Sequence, residues 1–323
     1  MQSFAPFAAR PAPTGPATPA RWALVMVVAL LASVALSVAP PAGAAPPSAG
    51  NSGLSLGDHG GQVSARMFAD VAAVGPGNRF QVGIEITMAS GWHTYWENGG
   101  DAGLATSIDW TLPEGFNASP IRWPAPHRYE EDGDIVTFGY ADRTVLLVDI
   151  TAPAPLPEGP LRFGAVVDWL QCKDICIPGS AELDLLLEAA DARVPAPDPV
   201  LRKFEAARKQ LPRPVSSYPD IGIQAFQDHD AFPVGTTGEV AVVFAGLGGI
   251  TPENCEFFPR PSDELWMRDG TFRSDGDNLA LIIPVEVDTE VAAGSVVTLP
   301  AVVRILRNGE ELLLSFEVPV TVA

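Results

Sequence analysis

Phe80, Val82, Ile84, Ile86 and Met88 alternate with Gln81, Gly83, Glu85 and Thr87. A period of two is the signature of an extended strand with one buried face and one wet face. Ile108, Trp110 and Leu112 repeat the pattern, as do Leu161, Phe163, Ala165, Val167 and Trp169, and then Leu183, Leu185 and Leu187. The run Thr144 to Ile150 is more continuously apolar and reads as a central strand. Gly75-Pro76-Gly77, Pro113-Glu114-Gly115, Asp132-Gly133-Asp134 and Pro157-Glu158-Gly159 separate these runs with turn chemistry. Glu239 to Ala245, Leu279 to Val285, Val296 to Leu306 and Leu312 to Val322 continue the series with no helices between them. That spacing favours antiparallel sandwiches over a parallel sheet. At 47% hydrophobic over 323 residues, the chain has enough apolar material for two cores.

A break falls near residue 195. Pro195, Pro197 and Pro199 stiffen a connector. Asp198 is then placed to cap a helix with Pro199 at its first position. Leu201, Phe204, Ala207 and Leu211 recur at helical spacing, Arg208 and Lys209 suit the carboxyl end, and Pro212 and Pro214 stop the helix. The expected fold is all-β, two antiparallel β-sandwich domains joined by a short helical linker.

The amino terminus reads as an address. Arg10 and Arg21 precede an uncharged run from Trp22 to Ala39, and Pro40, Pro41 and Ala42-Gly43-Ala44 follow. Basic, apolar and small-residue parts in that order make a cleavable secretory signal over residues 1–44, with a membrane anchor as the rival reading. The expected organisation is a signal peptide at 1–44 and a flexible lead-in at 45–61. A first sandwich follows at 62–192, a Pro-rich linker with its helix at 193–215, and a second sandwich at 216–323. Charge is lopsided, 20 basic residues against 39 acidic for a net −19. Such a chain repels phosphate backbones and anionic headgroups, which argues against nucleic acid and against a membrane except through a partner.

Chemistry concentrates in Trp169-Leu170-Gln171-Cys172-Lys173-Asp174-Ile175-Cys176-Ile177-Pro178. Along a straight strand the two cysteine Cα atoms would lie about 13 Å apart, beyond the ~4.4–6.8 Å of a disulfide. A helical turn or tight loop brings them to about 6 Å, so a bridge requires the chain to turn directly after Trp169. A bridge closing so small a loop adds little stability, which argues against a purely structural role. An exported compartment permits disulfides. Three readings stay open: a redox-active pair, a static disulfide, and a metal site. Two thiolates suit copper(I), with His93, His127 or Met88 as further donors, although none is near the pair in sequence. Lys173 and Asp174 offset one another in charge. Cys255 reads as a buried, inert thiol.

Gly91-Trp92-His93-Thr94-Tyr95-Trp96 with Glu97-Asn98-Gly99-Gly100-Asp101-Ala102-Gly103 resembles a motif of the DsbD amino-terminal domain family, in its ScsB-like branch. Ile108-Asp109-Trp110, Trp123-Pro124-Ala125-Pro126, Phe138-Gly139-Tyr140 and the cysteine segment extend the match in order, over roughly residues 60–190. The resemblance implies an immunoglobulin-like sandwich in the periplasm with a redox-active disulfide and no cofactor or metal. It implies thiol–disulfide oxidoreductase activity, with electrons arriving from a membrane thiol carrier or thioredoxin-like domain and leaving to thioredoxin-fold acceptors. Cys172 and Cys176 become the exchanging pair, with Cys176 as attacker and Cys172 as resolver. Members also shield the pair with an aromatic-bearing cap loop. Arg128 to Tyr140 is the matching region, with Tyr129 or Phe138 as the lid. Tyr95, Trp96 and Trp169 either flank the cysteines or fill the core. Glu130, Glu131, Asp132 and Asp134 read as a solvated turn. The alternative is a copper-binding or protein-interaction module in which the cysteines are ligands or a fixed staple. Two departures stand out. The best-known members place five residues between the cysteines, where this chain has three. Full-length members continue into a multi-helix membrane domain and a thioredoxin domain, whereas this sequence ends at Ala323, which implies a separate electron donor or a changed role.

Overall fold

A computed structural model describes residues 54–55, 61–131, 133 and 135–323. The signal peptide and most of the lead-in lie outside the described residues. Part of the lead-in is ordered, since Leu54–Ser55 pairs with Arg66 and Ala65. The described residues belong to one compact unit.

The first sandwich is built from β1 (Leu54–Ser55), β2 (Val63–Ala69), β3 (Val71–Val74), β4 (Arg79–Met88), β5 (His93–Gly100), β6 (Ser107–Thr111) and β7 (Asn117–Ala118). It continues through β8 (His127–Glu131), β9 (Ile135–Ala141), β10 (Arg143–Thr151), β11 (Leu161–Cys172), β12 (Cys176–Ala189) and β13 (Val194–Pro195). One sheet runs β1-β2-β4-β10-β7, which makes β10 interior, as its continuous apolar run requires. The other runs β13-β3-β12-β11-β5-β9-β8, with β6 also on β11. Ile84, Ile86, Leu146 and Val148 from one sheet share a core with Phe163, Val167 and Leu185 from the other.

The helix α1 (Asp198–Lys209) follows. Asp198 is its first residue rather than its cap. Pro197 occupies the cap position with no side-chain hydrogen bond, and Asp198 acts on the helix dipole from the first turn. The placement of α1 also limits the alternation reading of β4: of the residues expected on its wet face, Gln81, Gly83 and Glu85 are buried and only Thr87 is open. Phe204 packs edge-on against Phe68 at 5.0 Å, and Lys203 and Arg66 both pair with Glu85, which is almost fully buried. Arg208 donates to Gln81 Oε1 at 2.7 Å and to the buried Asp70 at 3.0 Å. The linker helix therefore lies across the first sandwich, and its cations compensate the carboxylates it covers.

The second sandwich comprises β14 (Arg213–Pro214), β15 (Gly222–Gln227), β16 (Thr237–Ala245), β17 (Cys255–Pro259), β18 (Leu265–Met267) and β19 (Thr271–Asp275). It is completed by β20 (Asn278–Val287), β21 (Val296–Arg307) and β22 (Glu310–Thr321). Its sheets run β14-β22-β21-β17 and β15-β16-β20-β18, with β19 also on β20. Val240, Phe244, Leu281, Leu299 and Leu314 fill the space between them.

The two sandwiches share apolar surface. Phe258 from β17, with Val302 and Leu313, joins the first core. Its ring meets Trp96 at 6.1 Å and Phe138 at 5.4 Å, both edge-to-face. Around this contact Arg260 forks onto Glu97 at 2.7 and 3.0 Å, and Arg128 onto Asp269 at 2.9 Å twice. Arg304 donates to His127 Nδ1 at 2.8 Å, which requires a neutral imidazole there. Burial first, then the Arg304 charge, pushes the His127 pKa down, in keeping with that acceptor role.

Candidate redox site

Strand β11 runs straight through Trp169 to Cys172, and β12 begins at Cys176. The chain does not turn after Trp169. It closes a hairpin over Lys173, Asp174 and Ile175, which sets Cys172 directly opposite Cys176. Of the two expected geometries, the tight loop rather than the helical turn brings the cysteines together, with a Cα–Cα distance of 4.2 Å. The two sulfurs are bonded. Their surroundings differ: Cys172 is 2% exposed, while Cys176 faces solvent. The bridge therefore joins a buried cysteine to an exposed one.

Strand β5 supplies the neighbours. His93 pairs in register with Cys172 and lies half-buried beside the bridge. Tyr95 is fully buried, and its hydroxyl sits 3.6 Å from Cys176 Sγ. A sulfur in a disulfide carries no hydrogen, so in that contact the tyrosine donates. His93 Nε2 lies 3.3 Å from the same hydroxyl. Tyr129 stacks on His93 with ring centroids 5.4 Å apart and planes 16° from parallel. Tyr129 is thus near the cystine through His93. Its hydroxyl pKa is raised, chiefly by burial.

The glycine-rich stretch after Trp96 has a steric reason. The loop between β5 and β6 folds back over Tyr95, with Ala105 bridged to it. Gly103, at φ +126°, lies so close to the Tyr95 ring that any Cβ would overlap it. Glycine alone combines that backbone conformation with that approach.

The remaining sequence candidates sit elsewhere. Trp96 and Phe138 are buried against Phe258 at the junction of the two sandwiches. Trp169 is buried in the first core, its indole lying across Gly179 on the paired strand. The expected cap region is a β-hairpin of β8 and β9, tied to the second sandwich by Arg128 and Phe138. Of the three suggested extra metal donors, Met88 Sδ accepts from Thr94 Oγ1 at 3.4 Å and His127 is engaged by Arg304. Only His93 stands beside the bridge. Sequence reasoning did not assign His93 to the exchange site. Its position in the Trp92-His93-Thr94-Tyr95 motif was the available signal.

Cys255 is half-buried at the start of β17, with its sulfur 3.6 Å from Thr251 O. Burial, aided by Glu253, pushes its thiol pKa up to about 12. Its expected behaviour is slow alkylation: at pH 8, iodoacetamide labels Cys255 at least tenfold more slowly than a free cysteine peptide, as mass spectrometry of timed digests would record.

A β-sandwich bearing a disulfide across the last residue pair of a hairpin, one cysteine covered and the other bare, defines a thiol–disulfide interchange module. Residues 63–188 match the family described as thiol:disulfide interchange protein DsbD, N-terminal. The solved N-terminal periplasmic domain of ScsB from Proteus mirabilis superposes with a TM-score of 0.59 at 19% identity, over 84% of this chain and 98% of that one, so the fold extends across both sandwiches. The sporulation control protein Spo0M from Bacillus subtilis aligns over 80% of this chain and 91% of its own at 13% identity, with a TM-score of 0.20, too low to define a common fold. No curated protein sequence matches the chain. Among the described residues, no helix is long and apolar enough to cross a membrane.

Proposed function

We propose that this protein is a periplasmic thiol–disulfide oxidoreductase, passing reducing equivalents through Cys172 and Cys176 from a membrane thiol carrier or thioredoxin-like donor to thioredoxin-fold acceptors. The observation that carries this reading is the asymmetry of the bridge, with Cys176 exposed and Cys172 covered. A donor thiolate attacks Cys176 Sγ, the Cys172–Cys176 bond breaks, and a mixed disulfide forms while Cys172 leaves as the thiolate. The donor's second thiol attacks its own sulfur in the mixed disulfide, which releases Cys176 as a thiolate. Two electrons now reside on the pair, whose thiolates are in exchange with the protons given up by the donor's two thiols. In the second half the Cys176 thiolate attacks an oxidised acceptor, and Cys172 resolves the resulting mixed disulfide. Direction follows from the relative reduction potentials of donor and acceptor.

Tyr95 has a definite part in this scheme, because its hydroxyl is placed to donate to Cys176 whenever that sulfur bears charge. A hydrogen bond to a charged group contributes about 1.5–3 kcal/mol. In the reduced protein Tyr95→Phe should therefore raise the pKa of the Cys176 thiol by roughly one unit or more, read from the pH dependence of its alkylation rate. An unchanged pH profile would remove Tyr95 from the mechanism.

The relay itself is tested by equilibrating the protein across a series of glutathione ratios, quenching with an alkylating agent and weighing the products. The expected result is a reversible two-electron transition confined to Cys172 and Cys176. A pair that stays oxidised at every ratio after long incubation is a static staple, and the proposal fails.

A further inference from the structure

A lone exposed cysteine offers a protein partner little to hold, so the surface leading away from Cys176 matters. A chain of neighbours runs from it, beneath the surface through the buried Tyr95, to a groove shared with the second sandwich. Cys176 touches the Tyr95 hydroxyl, and Gly103 lies on the Tyr95 ring. Next to Gly103 stands Leu104, 69% exposed. Leu104 lines a groove of about 360 Å³ whose opposite wall is β18 of the second sandwich, including Trp266. Trp266 is also 69% exposed, and it lines a second groove of about 590 Å³ with Val136 and Asp101. In the cysteine turn itself Ile175 is 67% exposed.

Large apolar side chains this open to water, set near a reactive group, mark interaction surfaces rather than folding cores. Tryptophan in particular dominates binding energy where it becomes covered. Asp101, whose carboxylate accepts from Val136 N–H at 2.8 Å, borders the second groove with Asp269 and Glu286 against the single cation Arg268. Asp263 borders the Leu104–Trp266 groove. Glu97 in the same wall is already held by Arg260. The surface is thus apolar at its centre and acidic at its border, on a chain of net charge −19. It complements a protein whose reactive cysteine stands on an apolar face with basic residues around it.

We propose that Leu104 and Trp266 form a docking face for the thioredoxin-fold protein that exchanges with Cys176, so that the second sandwich binds the partner while the first supplies the sulfurs. This rests on the exchange function proposed above, and the test separates the two. The oxidised full chain and its Trp266→Ala and Trp266→Phe variants are reduced in parallel by reduced thioredoxin and by dithiothreitol, at low and at high salt. Dithiothreitol needs no docking face.

The expected result is that Trp266→Ala slows reduction by thioredoxin at least tenfold and leaves the dithiothreitol rate within twofold. Trp266→Phe should recover most of the loss, and salt should slow only the protein reaction. Equal thioredoxin rates in wild type and Trp266→Ala overturn the docking face. An equal slowing with both reductants also overturns it, because the effect is then on the bridge. Should wild type sediment as a dimer that Trp266→Ala dissociates while its thioredoxin rate is unchanged, the face belongs to a second copy of this chain. Failure of both reductants to open the bridge in wild type is a different outcome, which removes the exchange function itself.

Discussion

Cys172→Ser is expected to accumulate as a stable mixed disulfide through Cys176 when mixed with an oxidised thioredoxin-fold protein or with glutathione disulfide, whereas Cys176→Ser forms none. Both variants lose two-electron turnover completely. The difference follows from exposure, because an incoming disulfide must approach the attacking sulfur in line. Cys176 faces water and Cys172 is 2% exposed. In Cys172→Ser the attacking thiol is retained and the resolving thiol is gone, so the intermediate persists. In Cys176→Ser the remaining thiol is covered. Non-reducing electrophoresis and intact mass read both results. Equal trapping by the two variants would mean that the hairpin opens enough to present either sulfur, and the assignment of attacker and resolver would fall. Stability should hardly interfere. The bridge spans three intervening residues, and a loop of that size contributes at most about 2 kcal/mol, less here because strand pairing already holds the ends together.

Phe258→Ala is expected to produce the largest loss of stability in the molecule, about 3–5 kcal/mol. The ring is fully buried, meets Trp96 and Phe138 edge-to-face, and lies under the Arg304 guanidinium at 5.7 Å. Truncation empties a space between two sheets that belong to different sandwiches. The surrounding ion pairs, Arg260 with Glu97 and Arg128 with Asp269, resist its collapse. Urea denaturation followed by tryptophan fluorescence and by far-ultraviolet dichroism should show a lowered midpoint. Separation of the two signals into distinct transitions would show that the sandwiches have become independent. A midpoint unchanged from wild type would mean that the junction contributes nothing to folding.

Much of this architecture was legible because strands write themselves in a period of two. The runs at Phe80, Leu161 and Val296 lie on the observed strands β4, β11 and β21. The cysteine pair was legible for another reason: three intervening residues restrict the local geometries that let the sulfurs meet. Faces were not legible. Tyr95 and Trp96 are neighbours with similar chemistry, yet alternation sends one to the cystine and the other to Phe258, more than 160 positions further along. Phe138 is taken by that same distant ring, while Tyr129, one strand away, reaches the cystine only through His93. The buried carboxylates of Asp70 and Glu85 had little local warning either, because Arg208 and Lys203, which help to compensate them, arrive on a helix more than 100 residues later.

By itself, then, the amino-acid order determined that this chain makes sheets, that a helix interrupts them near residue 200, and that its chemistry resides in two closely spaced sulfurs. These are consequences of local periodicity, backbone restriction and side-chain reactivity. Tertiary structure alone decided which cysteine meets the solvent, which aromatic touches it, and which tryptophan is left bare on the second sandwich. Those outcomes depend on pairing between strands far apart in the chain, and no short-range pattern encodes which distant surface will cover a given face.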